Sequence, residues 1–410
     1  MANPKMTTDV MQEALDAVAR NGGDTAAAAK ELNIPRSTVV DRRDRARHEG
    51  LKPAKGLTDY TDAADLKRQI KLLSAELSAS KSAQLTEAAI RSQIIKLTQE
   101  APNTSTPKWA LEMRDAAHAP GVPTLFCSDW HTGEVVHASQ INGVNKYNIR
   151  IFRERVKTLA ATAVHLLRIL DPKMRYPGIV VPLGGDMCSG NIHDELTATN
   201  ELNSMPTVLE LFATLKWFVS GMADTFGRVF LPCVTGNHGR DTVKIWNKDR
   251  HATSFDWLLY QLLAKHFEDD KRITFQIPDG PDAYYRIFEH RYLLTHGDQF
   301  RGGDGMIGCL GPITRGDHKK RSRNAQIDMG YDTMIIGHWH QYLHHSRVIV
   351  NGSLKGYDEY AYNNNFGFEA PQQALWVTHP KYGLTYRMPV LVARQRKPAK
   401  KPWVSYRGLP

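Results

Sequence analysis

Thr124-Leu-Phe-Cys-Ser-Asp-Trp-His131 is a short apolar run that closes on an Asp-x-His triplet. Side chains along a strand alternate, so residues two apart point the same way, and Asp129 and His131 can chelate one ion. The same grammar recurs down the chain. Ile179-Val-Val-Pro-Leu183 runs into Gly184-Gly185-Asp186, and Arg228 to Thr235 runs into Gly236-Asn237-His238. Tyr292-Leu-Leu-Thr295 runs into His296-Gly297-Asp298, and Thr333-Met-Ile-Ile336 runs into Gly337-His338-Trp339-His340. Apolar runs of this length, bounded by turn residues, read as buried strands. Between them, Arg150 to Leu170 and Pro206 to Phe226 carry helical periodicity. Strands alternating with helices predict α/β organisation, with polar groups at the strands' carboxyl ends as the site. Val348–Val350 and Leu375–Val377 read as closing strands of a second sheet.

The order DxH, GD, GNH, HG, GHxH resembles the calcineurin-like metallophosphoesterase superfamily, over about residues 122 to 355. Amidohydrolase barrels also use HxH, but on their first strand; here DxH comes first and HxH last. The resemblance implies two packed β-sheets flanked by helices and a dinuclear metal site. It places one ion on Asp129, His131, Asp186 and His340, and the other on Asp186, Asn237, His296 and His338. It leaves His238 off the metals, beside the substrate phosphate, as the proton-handling catalytic residue. Mixed imidazole and carboxylate ligands suit two divalent ions, Mn²⁺ first, with Fe or Zn²⁺ as alternatives. The implied reaction is in-line attack on phosphorus by a metal-bridging hydroxide, with ions ~3.5–4 Å apart. Family members commonly carry Asp or Glu after the GNH histidine. Here Gly239 stands there, leaving Asp241 as a stand-in candidate and Arg240 as a candidate phosphate contact.

Outward from that core, the segment from Arg301 to Arg323 begins Gly-rich and continues with Arg315, Lys319, Lys320, Arg321 and Arg323. It joins two ligand-bearing strands. It therefore reads as a basic loop at the rim of the site, gripping substrate phosphates through Arg301, Arg315, Lys319, Lys320 and Arg321. A solvated surface loop would read the same way. His193 is a weaker candidate for a substrate contact.

Residues 1–57 read as three helices. Met11 to Arg20 is periodic, Asp24 is an N-cap for Thr25 to Leu32, and Pro35 opens a helix from Arg36 to His48. This resembles a helix-turn-helix of the transposase and repressor kind, with Ala29, Leu32, Ile34 and Val39 inside. The resemblance implies DNA contact through Arg36, Ser37, Thr38, Arg42 and Arg43. A three-helix module that binds protein is the alternative. Residues 58–107 read as a helical linker, with Leu66, Ile70, Leu73 and Leu77 forming a short seam. A homodimer through residues 62–80 follows if that seam pairs, and an amphipathic spacer if it does not. The catalytic domain is assigned to residues 108–391 and a basic tail to residues 392–410.

Of the 410 residues, 41% are hydrophobic and 23% charged, as in a globular protein, and the formal net charge is +10. That balance favours a polyanionic partner, DNA before an anionic membrane. The four cysteines show no CxxC spacing and no disulfide framework, which suits a reducing cytoplasm. No signal-peptide pattern and no apolar stretch near the ~20 residues of a membrane helix is present. The expected function is a DNA-directed phosphodiesterase or nuclease, close to the repair-exonuclease branch. Alternatives are a phosphomonoesterase or cyclic-nucleotide phosphodiesterase with the first module only a tether, and a non-enzymatic DNA-binding protein with a vestigial site. The pairing of such modules suggests a phage or mobile-element origin.

Overall fold

The computed structural model describes residues 7–57, 105–112, 121–302 and 308–393. The seam at Leu66 to Leu77, and the basic residues from Arg394 onward, lie outside the described residues. The chain divides into two compact units, Met1–Ala89 and Ile90–Pro410.

In the first unit, α1 (Thr8–Arg20), α2 (Thr25–Glu31) and α3 (Arg36–His48) form a three-helix module. Asp24 caps α2 by accepting from the backbone N–H groups of Ala26 and Ala27, which satisfies donors a helix start leaves unpaired. Small residues let the helices approach closely. Ala17, Ala28 and Ala29 meet Val18 and Val39 in one cluster, with Leu32 and Ile34 against it.

The second unit is a mixed α/β sandwich with two sheets. Its elements begin with α4 (Lys108–Leu111), β1 (Val122–Leu125), α5 (Ile149–Leu170), β2 (Ile179–Val180), α6 (Asp194–Thr199), α7 (Ser204–Phe226) and β3 (Val229–Pro232). Next come α8 (Phe255–His266), β4 (Ile273–Gln276), β5 (Asp282–Ile287), β6 (His290–Thr295), α9 (Leu310–Ala325) and β7 (Thr333–Ile336). The chain continues through β8 (Leu343–His344), β9 (Val348–Val350), α10 (Glu359–Asn363), β10 (Gln372–His379) and β11 (Gly383–Leu391). One sheet runs β11-β10-β1-β2-β3-β4 and the other β5-β6-β7-β9-β8. Strands β1 to β4 are mutually parallel, as are β6, β7 and β9.

The two-residue alternation of the strands sorts side chains into layers. Leu125, Ile179, Val229 and Leu231 face α5, α7 and α8 on the outer side of the first sheet. Phe126, Val180, Phe230 and Trp376 point inward and meet Tyr285, Leu294, Ile335 and Ile349 of the second sheet. Leu293, Met334, Ile336 and Val350 face outward again, onto Ile313 of α9. Strands buried on both faces are why these segments read as continuous apolar runs.

Two expectations are corrected. Leu375–Val377 belongs to the first sheet, where β10 pairs antiparallel with β1; an apolar strand carries no label for which of two sheets it joins. The segment expected as a basic loop becomes helical from Leu310, as α9. Gly311, Pro312 and Gly316 disguised it in the sequence. Proline is tolerated in a first helical turn. At Gly316 a Cβ would lie 2.4 Å from the Phe300 ring, so the glycine admits a close helix contact. Among the described residues no helix is long and apolar enough to cross a membrane.

Candidate metal centre

Parallel strands deliver their carboxyl ends to one edge of the sandwich. Beyond β1, β2 and β3 the chains stay adjacent through bridges from Cys127 to Leu183 and from Leu183 to Cys233. The Asp129, Asp186 and Asn237 loops therefore leave side by side. His296 follows β6, and His338 and His340 follow its parallel neighbour β7.

These residues meet in three overlapping groups: Asp129, His131 and His340; His131, Asp186 and His238; and Asp186, His296 and His338. Nε2 of His131 lies 3.0 Å from Nε2 of His340, which is 3.5 Å from Oδ1 of Asp129. Oδ2 of Asp186 lies 3.0 Å from Nε2 of His296, which is 3.2 Å from Oδ1 of Asn237. Bonds of ~2.1 Å to one ion place neighbouring ligand atoms roughly 3 Å apart. The donor set thus fits divalent cations by both chemistry and spacing.

The backbone is bent to achieve this. Asp129 (φ 56°), His131 (45°), Asp186 (51°), His338 (67°) and His340 (53°) all occupy the left-handed region. Each such residue costs about 1–3 kcal/mol unless its surroundings enforce it. Here cross-braces enforce it. Asp129 accepts from the His338 backbone N–H at 2.8 Å and from the Ser128 hydroxyl. Asp186 accepts from the His238 N–H at 2.7 Å. Glycines allow the contact: a Cβ at Gly236 would fall 2.0 Å from Oδ1 of Asp186, and one at Gly337 2.2 Å from Oδ2 of Asp129.

Electrostatics follow from burial. Desolvation and the Lys355 ammonium hold His131 well below the usual imidazole range. Desolvation and His296 push His338 down to about 4. His296 goes the other way: burial would lower it, but the Asp186 carboxylate raises it well above its ordinary value. Burial would likewise raise Asp186, yet His296 and His238 hold it far down. His238 is lowered by burial, against the pull of Asp186 and Glu134. Its Nδ1 lies 3.0 Å from the Ser189 carbonyl oxygen, and its ring centroid lies 6.0 Å from that of His193.

The substrate-contact candidates separate. Arg301, Arg315 and Lys319 are exposed. Lys320 is buried, with Nζ 2.6 Å from Oδ1 of Asp282. Arg321 pairs with Asp317 and lies 4.3 Å over the Tyr331 ring. Arg240 donates to the carbonyls of Asn237, Thr242 and Val243, bracing the loop that carries Asn237. In the three-helix module, Arg36 and Ser37 are exposed, while Thr38, Arg42 and Arg43 are partly buried. Arg36 donates to the Thr25 hydroxyl and Arg43 to Asp44.

Several residues at the centre carried no motif. Arg250 reaches Oδ2 of Asp298 at 3.0 Å and the Gly236 carbonyl at 3.2 Å. The buried Lys355 ammonium sits between Glu134 and Asp358, and Glu134 lies 3.6 Å from Nδ1 of His131. Asp241, expected to stand in for the missing acid beside His238, is exposed. The buried acid there is Asp256, pushed up to about 6 by burial and by Asp186. Spacing could not reveal these residues, because each comes from a different loop or helix.

No family model matches the chain, and no curated protein matches it. Among solved structures, the chain is similar to a conserved uncharacterised protein, a predicted phosphoesterase, from Streptococcus pneumoniae TIGR4. The identity is 11% and the TM-score 0.24, over 62% of this chain and 82% of that one. A likeness at that TM-score carries no weight for fold or activity.

Proposed function

We propose that this chain is a dinuclear-metal-dependent phosphoester hydrolase that cleaves DNA as a phosphodiester. The observation that carries the reading is the position of Asp186. Its carboxylate groups with His296 and His338 and also lies within reach of His131, which in turn groups with Asp129 and His340. A carboxylate shared between two donor clusters is what a pair of ions needs.

In this reading Asp129, His131, Asp186 and His340 would hold one divalent ion, and Asp186, Asn237, His296 and His338 the other. Bound divalent cations supply Lewis-acid polarisation of the phosphoryl oxygen and an acidified water. The chain's own residues do the rest. The Ser189 carbonyl accepts from Nδ1–H of His238, which orients the ring, and the Nε2–H of its charged form would pass a proton to the leaving oxygen. Arg240 and Arg250 hold the Asn237 loop in place through backbone carbonyls. Exposed Arg301, Arg315 and Lys319 attract the phosphates of a long substrate. DNA as substrate is supported by the net charge of +10 and by α3, which carries exposed Arg36 and Ser37 at its amino-terminal end, where a recognition helix meets bases.

The test offers the purified full-length protein with Mn²⁺ to linear duplex DNA, single-stranded DNA, and mono- and bis-p-nitrophenyl phosphate. Degraded DNA with cleaved diester supports the proposal. Cleavage of the monoester alone moves the assignment to a phosphomonoesterase. Absence of any cleavage by protein shown to bind Mn²⁺ overturns it.

A further inference from the structure

Gly239 leaves no empty space where an acid was expected. A Cβ there would lie 3.0 Å from Cγ of Asp256 and 3.1 Å from each of its oxygens. Asp256 arrives from later in the chain, in the first turn of α8, and is fully buried. Its carboxylate does not cap its own helix. Oδ2 accepts from the backbone N–H of Asp186 at 2.9 Å and of Gly236 at 3.0 Å. Oδ1 accepts from Met187 at 3.2 Å and Cys188 at 3.3 Å. One carboxylate therefore ties together two loops that leave different strands, the first carrying Asp186 and the second Asn237 and His238. The Phe255 N–H donates to the Gly239 carbonyl at 2.7 Å, which docks the start of α8 onto the same point.

Those four N–H groups lie past β2 and β3, and Asp256 is the acceptor each of them finds. Buried donors left unpaired are costly, and Asp186 is also held in the left-handed region at φ 51°. The two loops touch closely: a Cβ at Gly236 would fall 2.3 Å from the backbone nitrogen of Asp186. We propose that Asp256 is the positioning carboxylate of this centre, supplied from α8 into the volume that an acid at position 239 would fill. The proposal rests on the site being a metal centre. Asp256 touches neither substrate nor ion; it acts through Asp186 and the Asn237 loop.

The experiment compares full-length wild type with Asp256→Asn, Asp256→Ala, Gly239→Asp, and the double variant Gly239→Asp/Asp256→Ala. Mn²⁺ affinity is read by calorimetry, and kcat and KM on bis-p-nitrophenyl phosphate. Amide hydrogen exchange over residues 186–188 and 236 is followed in metal-free protein. Asp256→Ala should weaken Mn²⁺ binding about 10–100-fold, the usual loss on removing a partner that orients ligands. It should lower kcat with KM little changed and speed exchange at those amides. Asp256→Asn, which keeps one acceptor oxygen, should fall between. Gly239→Asp alone should also lose affinity, because two carboxylates then compete for one volume. The double variant should restore Mn²⁺ affinity, kcat and exchange protection together. A folded Asp256→Ala protein with unchanged exchange and Mn²⁺ affinity overturns the proposal, as does a folded double variant that recovers none of them. If wild type binds no Mn²⁺, the metal-centre reading fails. The clamp is then judged on exchange alone: loss in Asp256→Ala and return in the double variant sustain it, and no change overturns it.

Discussion

In the proposed reaction His238 is the proton-handling residue: its Nδ1 is tied to the Ser189 carbonyl, as that of His296 is to the Gly184 carbonyl, but His296 also faces the Asp186 carboxylate through Nε2. A proton donor matters most when the leaving oxygen is basic. His238→Ala should therefore lower kcat on DNA by about 10²–10⁴-fold, but on bis-p-nitrophenyl phosphate, whose leaving group needs little help, far less. Equal losses on both substrates, with Mn²⁺ stoichiometry intact, would remove the proton-donor role. The pair of His296 and Asp186 makes a second prediction. Asp186 keeps His296 protonated in the metal-free protein at neutral pH, because its pKa lies above the ordinary value. An ion that takes the same nitrogen must expel that proton. Mn²⁺ binding should thus release protons near pH 7, and the affinity should rise with pH until His296 is already deprotonated. Calorimetry in buffers of different ionisation enthalpy measures this; a binding heat independent of buffer would contradict it.

Among the elements, α9 shows how a charged segment divides its labour. Its basic residues look alike in sequence, yet Lys320 is buried against Asp282 of β5 while Lys319 faces solvent. Arg323 also reaches Asp282, from an exposed position. Removing Lys320 leaves the buried Asp282 carboxylate with the exposed Arg323 in place of a buried ammonium. Lys320→Met should cost about 3 kcal/mol of stability, whereas Lys319→Ala should stay within about 0.5 kcal/mol. Urea unfolding of both variants decides the point. If the two destabilise equally, Lys320 does not fasten α9 to the second sheet. Of the residues named as substrate contacts from Arg301 to Arg321, those exposed are Arg301, before the helix, and Arg315 and Lys319 on it.

On the scale of the whole molecule, the question is whether the first unit adds DNA affinity to the chemistry of the second. Arg36, Arg42 and Arg43 lie on α3. Replacing all three by alanine in the full chain should weaken DNA binding. The slope of log K against log salt should become shallower by about 0.9 for each phosphate that is no longer neutralised. Hydrolysis of bis-p-nitrophenyl phosphate should not change. An unaltered salt slope would reject a DNA-binding role for α3 and favour a protein-binding module.

The strands and the ligand candidates were legible in the chain because both are local. An apolar run bounded by glycines declares a strand, and polar residues directly after it travel with that strand's end. Helix starts at Asp24 and Pro35 were legible for the same reason. What stayed hidden depended on distant partners. Whether β10 joins the first or the second sheet is settled by pairing with β1. Whether Lys320 or Lys319 meets solvent is settled by where Asp282 lies. Asp256 and Lys355 look ordinary in sequence, and acquire their roles only when burial brings backbone donors or carboxylates around them. Local pattern announces which groups stand at strand ends. The folded chain alone decides which buried charges face one another, because that is a property of space and not of spacing.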